Sequence, residues 1–177
     1  MASQSLLTTS CLHAWYEAGS DVLHLEWRGR VTLSAVQTAS IQLAQLALAR
    51  RYTRVLICTY HVQAVGYEVA GWLAPRLLPG VRLLGTTHLA WVCPTSLDGV
   101  ALAQSLCAGL TLPTHLFADT PPAEEWLRSC PATPAERPYS ATEATRVHRV
   151  VRAWQWKVLT SLSRHPLWPL IRDEGDK

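Results

Sequence analysis

The stretch CTYHVQAVGYEVAGW, residues 58–72, holds a Cys, two Tyr, a His and Gly66. It directly follows the apolar run RVLI at 54–57, the end of a strand, where an α/β protein commonly carries its site. Cys58 and His61 are a thiol and a base three residues apart. A nucleophilic cysteine needs a base within reach and a third group to orient that base. No acid follows before Glu68. Cys58 is therefore expected to close a buried strand, and a Cys58-dependent enzyme is the third reading of this chain, behind two binding functions.

Other chemistry is sparse. The histidines stand at 13, 24, 61, 88, 115, 148 and 165. None forms an H-x-x-x-H pair or joins a cysteine at metal-ligand spacing, so no metal and no cofactor is expected. His24 and His88 alternate with apolar neighbours, the pattern of a solvated strand face or of satisfied inner histidines. There is no G-x-G-x-x-G, P-loop or G-x-S-x-G motif, and Gly66 and Gly71 alone do not make a phosphate cradle. The five cysteines, Cys11, Cys58, Cys93, Cys107 and Cys130, are odd in number and include no C-x-x-C pair. This usage fits a reduced, cytoplasmic protein.

The chain has 177 residues, 49% hydrophobic and 16% charged, enough apolar content to bury a core. No apolar run approaches the ~20 residues of a membrane span, and the first residues do not read as a secretory signal. Charge divides the chain. Residues 1–139 carry nine Arg against nine acids, whereas 140–177 carry seven basic and four acidic residues, so the net +3 belongs to the C-terminal segment.

The elements that would position the 58–72 stretch follow from periodicity. Residues 1–10 read as a flexible N-terminus. CLHAWYE (11–17) and VLHLEWR (22–28) read as an antiparallel pair around AGSD, the second strand alternating Leu23, Leu25 and Trp27 with a wet face of His24, Glu26 and Arg28. A helix is expected over 32–51 and a covered strand over 54–58. A helix over 67–78, limited by Pro75, comes next. Then follow a strand within 81–93, a helix over 95–110, a strand over 114–118 and a helix over 119–129 capped by Thr120. CPATPAERPY (130–139) reads as a linker. Ser140-x-x-Glu143 opens a last helix to about Ser163.

The order β-β-α-β-α-β-α-β-α implies a mixed, mainly parallel sheet with helices packed on it. Residues 11–129 resemble the SpoIIAA-like fold of the STAS superfamily, in its broad bacterial branch. The likeness is carried by DVLHLEWRGRVT, ARRYTRVLICTYHVQAVGYEVAGWLAPRL and HLFADTPPAEEWL. It implies a regulatory or protein-binding module rather than an enzyme. In antagonist members a Ser or Thr at the start of the second helix is phosphorylated by a partner kinase. The matching segment, TYHVQAVGYE (59–68), has no Ser, puts Thr59 where an Asp is common, and puts Gly66 and Tyr67 where the switch would stand. The resemblance thus implies a contact surface of Thr59, Tyr60, His61, Gly66 and Tyr67 without the phosphorylation switch.

Two features keep other readings open. Trp15, Trp27, Trp72, Trp91 and Trp126 are expected in the core. If some line one cavity, a small apolar ligand or lipid becomes the second reading, by analogy with CRAL-TRIO carriers. In the last helix Val147, Val150, Val151, Trp154, Val158 and Leu162 form an apolar stripe, with Arg146, Arg149, Arg152, Trp156 and Lys157 around it. Val147, Val151, Trp154 and Val158 are expected to seat the helix on its own domain, on a second subunit, on a protein partner, or on an anionic membrane with Trp156 and Trp168 at the interface. Basic residues on one helix are too few for a nucleic-acid surface.

Overall fold

The computed structural model describes residues 3–94, 97–108, 110, 112–131 and 141–162. Its elements are β1 (Ser3–Thr8), β2 (Leu12–Glu17), β3 (Val22–Val31), α1 (Leu33–Ala49), β4 (Arg54–Val65), α2 (Tyr67–Leu83), β5 (His88–Val92), α3 (Leu97–Cys107), β6 (Thr114–Phe117), α4 (Thr120–Ser129) and α5 (Ala141–Leu162). One sheet runs in the order β1-β2-β3-β4-β5-β6. Pairing is antiparallel from β1 to β3 and parallel from β3 to β6.

Alternation along each strand divides the core. Leu25, Val55, Ile57, Leu89 and Trp91 join Ala39, Ala44 and Ala47 of α1 and Ala103 and Leu106 of α3. Val22, Leu56, Cys58, Ala90 and Val92 meet Ala123 and Leu127 of α4. The parallel strands are thus covered on both faces, as their continuous apolar runs require. Thr32 caps α1 through its hydroxyl, which accepts from the Ala35 N–H at 3.3 Å.

Several expectations are corrected. The leader read as flexible contributes an edge strand, because Leu6 and Leu7 pack against the core. The strand expected to end at Cys58 continues to Val65. α2 runs through Pro75 to Leu83, so residues 81–83 are helical and β5 begins only at His88. Asp119, not Thr120, occupies the N-cap of α4. His24 does not face water. It is 3% exposed, stacks on Trp15 with ring centres 4.7 Å apart, and its Nε2 has no hydrogen-bond partner. Residues 132–139 of the expected linker, Ser140 of the expected capping box and Trp168 lie outside the described residues.

Four residues of the α5 stripe, Val147, Val151, Trp154 and Val158, pack within the chain. Val151 is 1% exposed and belongs to the main core; Val158 is 0% exposed and packs with Val31, Val36, Val69 and Trp72. Val147 and Trp154 are partly buried beside them. Gln155 Nε2 donates to the Ile41 carbonyl at 3.4 Å, and Arg51 pairs with Glu143 at 2.7 Å. α5 therefore forms an outer layer on α1 and α2. Of the seats expected for Val147, Val151, Trp154 and Val158, the one on the chain's own domain is the one they occupy here. Among the described residues, the large apolar side chains α5 leaves exposed are Val150 and Trp156, the latter 68% exposed. No described helix is long and apolar enough to cross a membrane.

Two polar ties fix the end of the sheet opposite the 59–65 segment. Arg54, 7% exposed, donates to the Ser20 carbonyl at 2.9 Å and to the Cys130 carbonyl at 2.6 Å. Asp21, at φ 54°, accepts from the Tyr16 hydroxyl at 2.6 Å, and that hydroxyl accepts from Arg50 at 2.8 Å. Burial, then the bond to Asp21, pushes the Tyr16 phenol up to about 12.

Candidate functional site

β4 is seven residues longer than the strand legible in its sequence, and that overrun builds the site. Only Arg54–Cys58 pairs with β5. Beyond Cys58 the strand pairs with β3 alone, through His61–Val65 against Arg28–Val31. Two register shifts occur on this stretch. Between Glu26 and Arg28, β4 passes from Cys58 to His61; between Gly29 and Arg30, it passes from Val62 to Ala64. Each adds one residue to β4, the signature of a bulge, which bends the strand and re-aims side chains. Gly29 supplies the positive φ, 64°, at the second. The result is a two-stranded ribbon whose outer edge, along residues 60–65, has no strand beside it among the described residues.

The predicted surface residues are only partly together on this ribbon. Tyr60 is 57% exposed, and its ring meets that of His61 edge-on at 5.5 Å. His61 Nε2 lies 3.6 Å from Glu26 Oε1, and Glu26 also holds Arg28 at 2.6 Å. Thr59 is half-buried, and its hydroxyl is engaged inside the fold. Its hydroxyl accepts from the Trp91 indole N–H at 3.1 Å and donates to the Val92 carbonyl at 3.2 Å. It seals the point where β5 ends. Gly66 marks the turn into α2, with its N–H donating to the Val31 carbonyl at 3.1 Å. A Cβ there would stand 2.6 Å from a Glu68 carboxylate oxygen. The first turn of α2 thus already holds an anion, which suits the helix dipole. Tyr67 opens α2.

The Cys58–His61 pair does not assemble as a nucleophile and base. His61 turns to Glu26. Burial, the largest influence, pushes the Cys58 thiol up. A buried, protonated thiol is a poor nucleophile.

Beneath the ribbon lies a cavity of about 520 Å³ between the sheet and the helices. Trp27, Trp72, Trp91 and Trp154 contribute to its wall, with Leu25, Val55 and Ile57 from the sheet. The helices face it with large residues such as Leu43, Trp72 and Leu106, and leave room through small ones: Ser40 and Ala44 from α1, Ala70 and Gly80 from α2, Ala103 from α3. The exposed Gln63, Ala64 and Val65 of the ribbon stand at its rim. At roughly 24 cal/mol per Å³, a sealed void this size would cost about 12 kcal/mol. That rivals the whole stability of a typical domain, about 5–15 kcal/mol. The space is therefore one that solvent or a ligand enters. Of the five tryptophans the sequence offered, Trp27, Trp72 and Trp91 line the cavity; Trp15 and Trp126 do not, and Trp154 joins from α5. The available signal for the cavity itself was the row of Ala, Ser and Gly on helix faces that meet a sheet of large side chains.

The described residues form one mixed α/β layer structure, with one strand more at its front than the sequence order implies and a long helix on its outside. Among solved structures, the chain is similar to an uncharacterised Shewanella loihica protein described as having a SpoIIAA-like fold, at 16% identity and TM-score 0.47, over 71% of this chain and 92% of that one. It is also similar to SiaC from Pseudomonas aeruginosa: the apo crystal structure shares 13% identity at TM-score 0.44 over 67% of this chain and all of that one. No known family's sequence model matches the chain, and no curated protein matches it.

Proposed function

We propose that this chain is a non-enzymatic binding module of regulatory type, which takes an extended segment of a protein partner on the free edge of β4. The observation that carries this reading is the overrun of β4 past β5. An unaccompanied strand edge offers backbone N–H and C=O groups in register for an added strand. Tyr60 and Val65, both exposed, supply side-chain contacts beside it. Exposed edges of this kind are usually blunted by charge or proline; residues 60–65, YHVQAV, contain neither an acid, a Lys, an Arg nor a Pro. Phosphorylation does not enter: Thr59 is held by Trp91 and Val92, and Gly66 replaces any acceptor at the helix start.

Peptide selection by phage display on the immobilised protein tests the reading. Extended sequences should emerge whose binding falls at least tenfold in Tyr60→Asp and Val65→Asp, with the melting temperature unchanged. N-methylation of alternate peptide amides should also abolish binding, because added strands bind through their backbone. Peptides that bind as helices, or that tolerate both substitutions, would refute it.

A further inference from the structure

The strand-edge reading leaves the cavity unused, and the cavity wall carries a cation. On α2, Val69, Trp72, Leu73, Arg76 and Gly80 follow one another at spacings of three and four residues, and all five line the cavity. That spacing is the inward stripe of a helix packed on a sheet. Arg76 thus stands within an otherwise apolar stripe, and among the described residues of the wall it is the only charged one. It is half-buried, so it meets both the cavity and water. Its guanidinium lies 4.7 Å from the centre of the Trp72 ring, and its Nη1 donates to the Trp72 carbonyl at 3.0 Å. The other arginines in contact with acids are matched: Arg28 by Glu26, Arg50 by Asp21 and Arg51 by Glu143. Among the described residues no carboxylate pairs with Arg76. A cation drawn partly out of water beside apolar walls is stabilised by an anion, and the planar guanidinium fork suits a carboxylate best of all.

We infer that the cavity binds an amphipathic monocarboxylate, its carboxylate paired with Arg76 and its apolar body among Trp27, Trp72, Trp91 and Leu106. The volume of about 520 Å³ falls within the ~300–1,000 Å³ of small-molecule sites. Contact with the aromatic wall supplies most of the affinity, and Arg76 selects the head group. One guanidinium balances one carboxylate. A phosphate monoester, with a charge of about −1.5 to −2 at neutral pH, would leave an excess beside apolar walls. Ligand binding in the cavity stands independently of the strand-addition reading.

Decanoate and decan-1-ol test the inference as a matched pair that differs in the head group alone. Each is titrated into the protein by isothermal calorimetry at neutral pH. Decanoate should bind about tenfold more tightly, the factor that one charge-assisted bond of roughly 1.5 kcal/mol provides. Arg76→Gln keeps a polar side chain of similar reach and removes the charge, so it should bring decanoate down to the affinity of decan-1-ol. Arg76→Lys should keep part of the difference. Decyl phosphate should bind no more tightly than decanoate. Ala103→Phe, which fills the cavity, should weaken both members of the pair more than tenfold. Ala64→Trp at the exposed rim gives the same readout without burdening the core, should Ala103→Phe fail to fold. A diazirine at the far end of the decanoate chain should, on irradiation, label wall residues such as Leu43, Trp91 or Leu106. Equal affinities for the pair in the unaltered protein, or a preference that survives Arg76→Gln, would overturn the assignment of Arg76. Tighter binding of decyl phosphate would overturn the carboxylate. Failure of the unaltered protein to bind any of the three, or labels confined to the outer surface, would overturn the site itself, whatever the fate of peptide binding at the β4 edge.

Discussion

If α5 is an intrinsic layer of the domain, removing its buried methyl groups must destabilise the monomer. Val151 and Val158 are the decisive positions, 1% and 0% exposed. Val→Ala deletes two methyl groups, each worth about 0.8 kcal/mol of transfer free energy, and leaves a small void besides. Each single substitution should therefore cost about 2 kcal/mol. The residues sit seven positions apart, about 10 Å along the helix axis, and belong to different core clusters. Their effects should add to about 4 kcal/mol, lowering the melting temperature by about 8–16 °C for a chain of this size. Urea denaturation followed by tryptophan fluorescence measures the loss. The unfolding midpoint of the double variant should be the same at 1 and 50 µM protein (concentrations spanning about the range of such assays). Single-variant losses below about 0.5 kcal/mol would show that the helix is not anchored as described. A midpoint that moves with protein concentration would instead return the stripe to a subunit interface.

Arg54→Met should cost about 2–4 kcal/mol, since it deletes charge-assisted bonds to the Ser20 and Cys130 carbonyls and leaves both acceptors behind; chemical denaturation measures it. Thr59→Val should cost about 1–3 kcal/mol by orphaning the Trp91 N–H, while Thr59→Ser, which keeps the hydroxyl, recovers most of that. Stability should fall at both pH extremes. Burial lowers His24 from its ordinary 6.5, so its share is present above pH 6.5 and lost as the pH falls; burial raises Cys107 from 9.0 to about 11 and Tyr16 from 10.0 to about 12, so their share is present below pH 9 and lost on the way to 12. His24→Leu should flatten the acid limb of a melting-temperature profile. Iodoacetamide at pH 7 should alkylate native Cys58 at least about tenfold more slowly than a free thiol, as peptide mass spectrometry would show, and fast labelling would revive a nucleophilic role.

Much of the fold is legible in the sequence because periodicity reports burial. The runs RVLIC, HLAWVC and THLFA are apolar on both faces and become the parallel strands β4, β5 and β6. The α5 stripe is legible too, but its partner is not: a helix face records that it is covered without recording by what. β1 escaped notice because SQSLLT is polar and edge-like, held by pairing with β2 rather than by its own pattern. His24 misled because alternation predicts water on the second face, whereas Trp15 covers it from the neighbouring strand. The extension of β4 was hidden for a related reason. TYHVQAV has mixed polarity and two bulges, which break the two-residue period by which a strand is recognised. Cavities are the least legible, since empty space is a relation among several elements and no single segment encodes it.

The overrun of β4 is one cause with two consequences. Past Val92 no third strand among the described residues supports the sheet, so the backbone of residues 60–65 has a bare edge there. On that same stretch Val62, Gln63, Ala64 and Val65 also line the cavity. A strand added at the edge and a molecule held in the cavity would therefore press on the same short backbone from two sides. Linkage then imposes a condition that holds whatever the sign of the effect: the factor by which cavity occupancy changes peptide affinity must equal the factor by which the peptide changes affinity in the cavity. Thr59 sits at the branch point, tied to the last residue of β5 and to the indole of Trp91 in the cavity wall. That position gives Thr59 a structural reason to stand at the end of the paired strand. It fixes where the sheet stops and the ribbon begins, and so fixes the geometry of both surfaces at once.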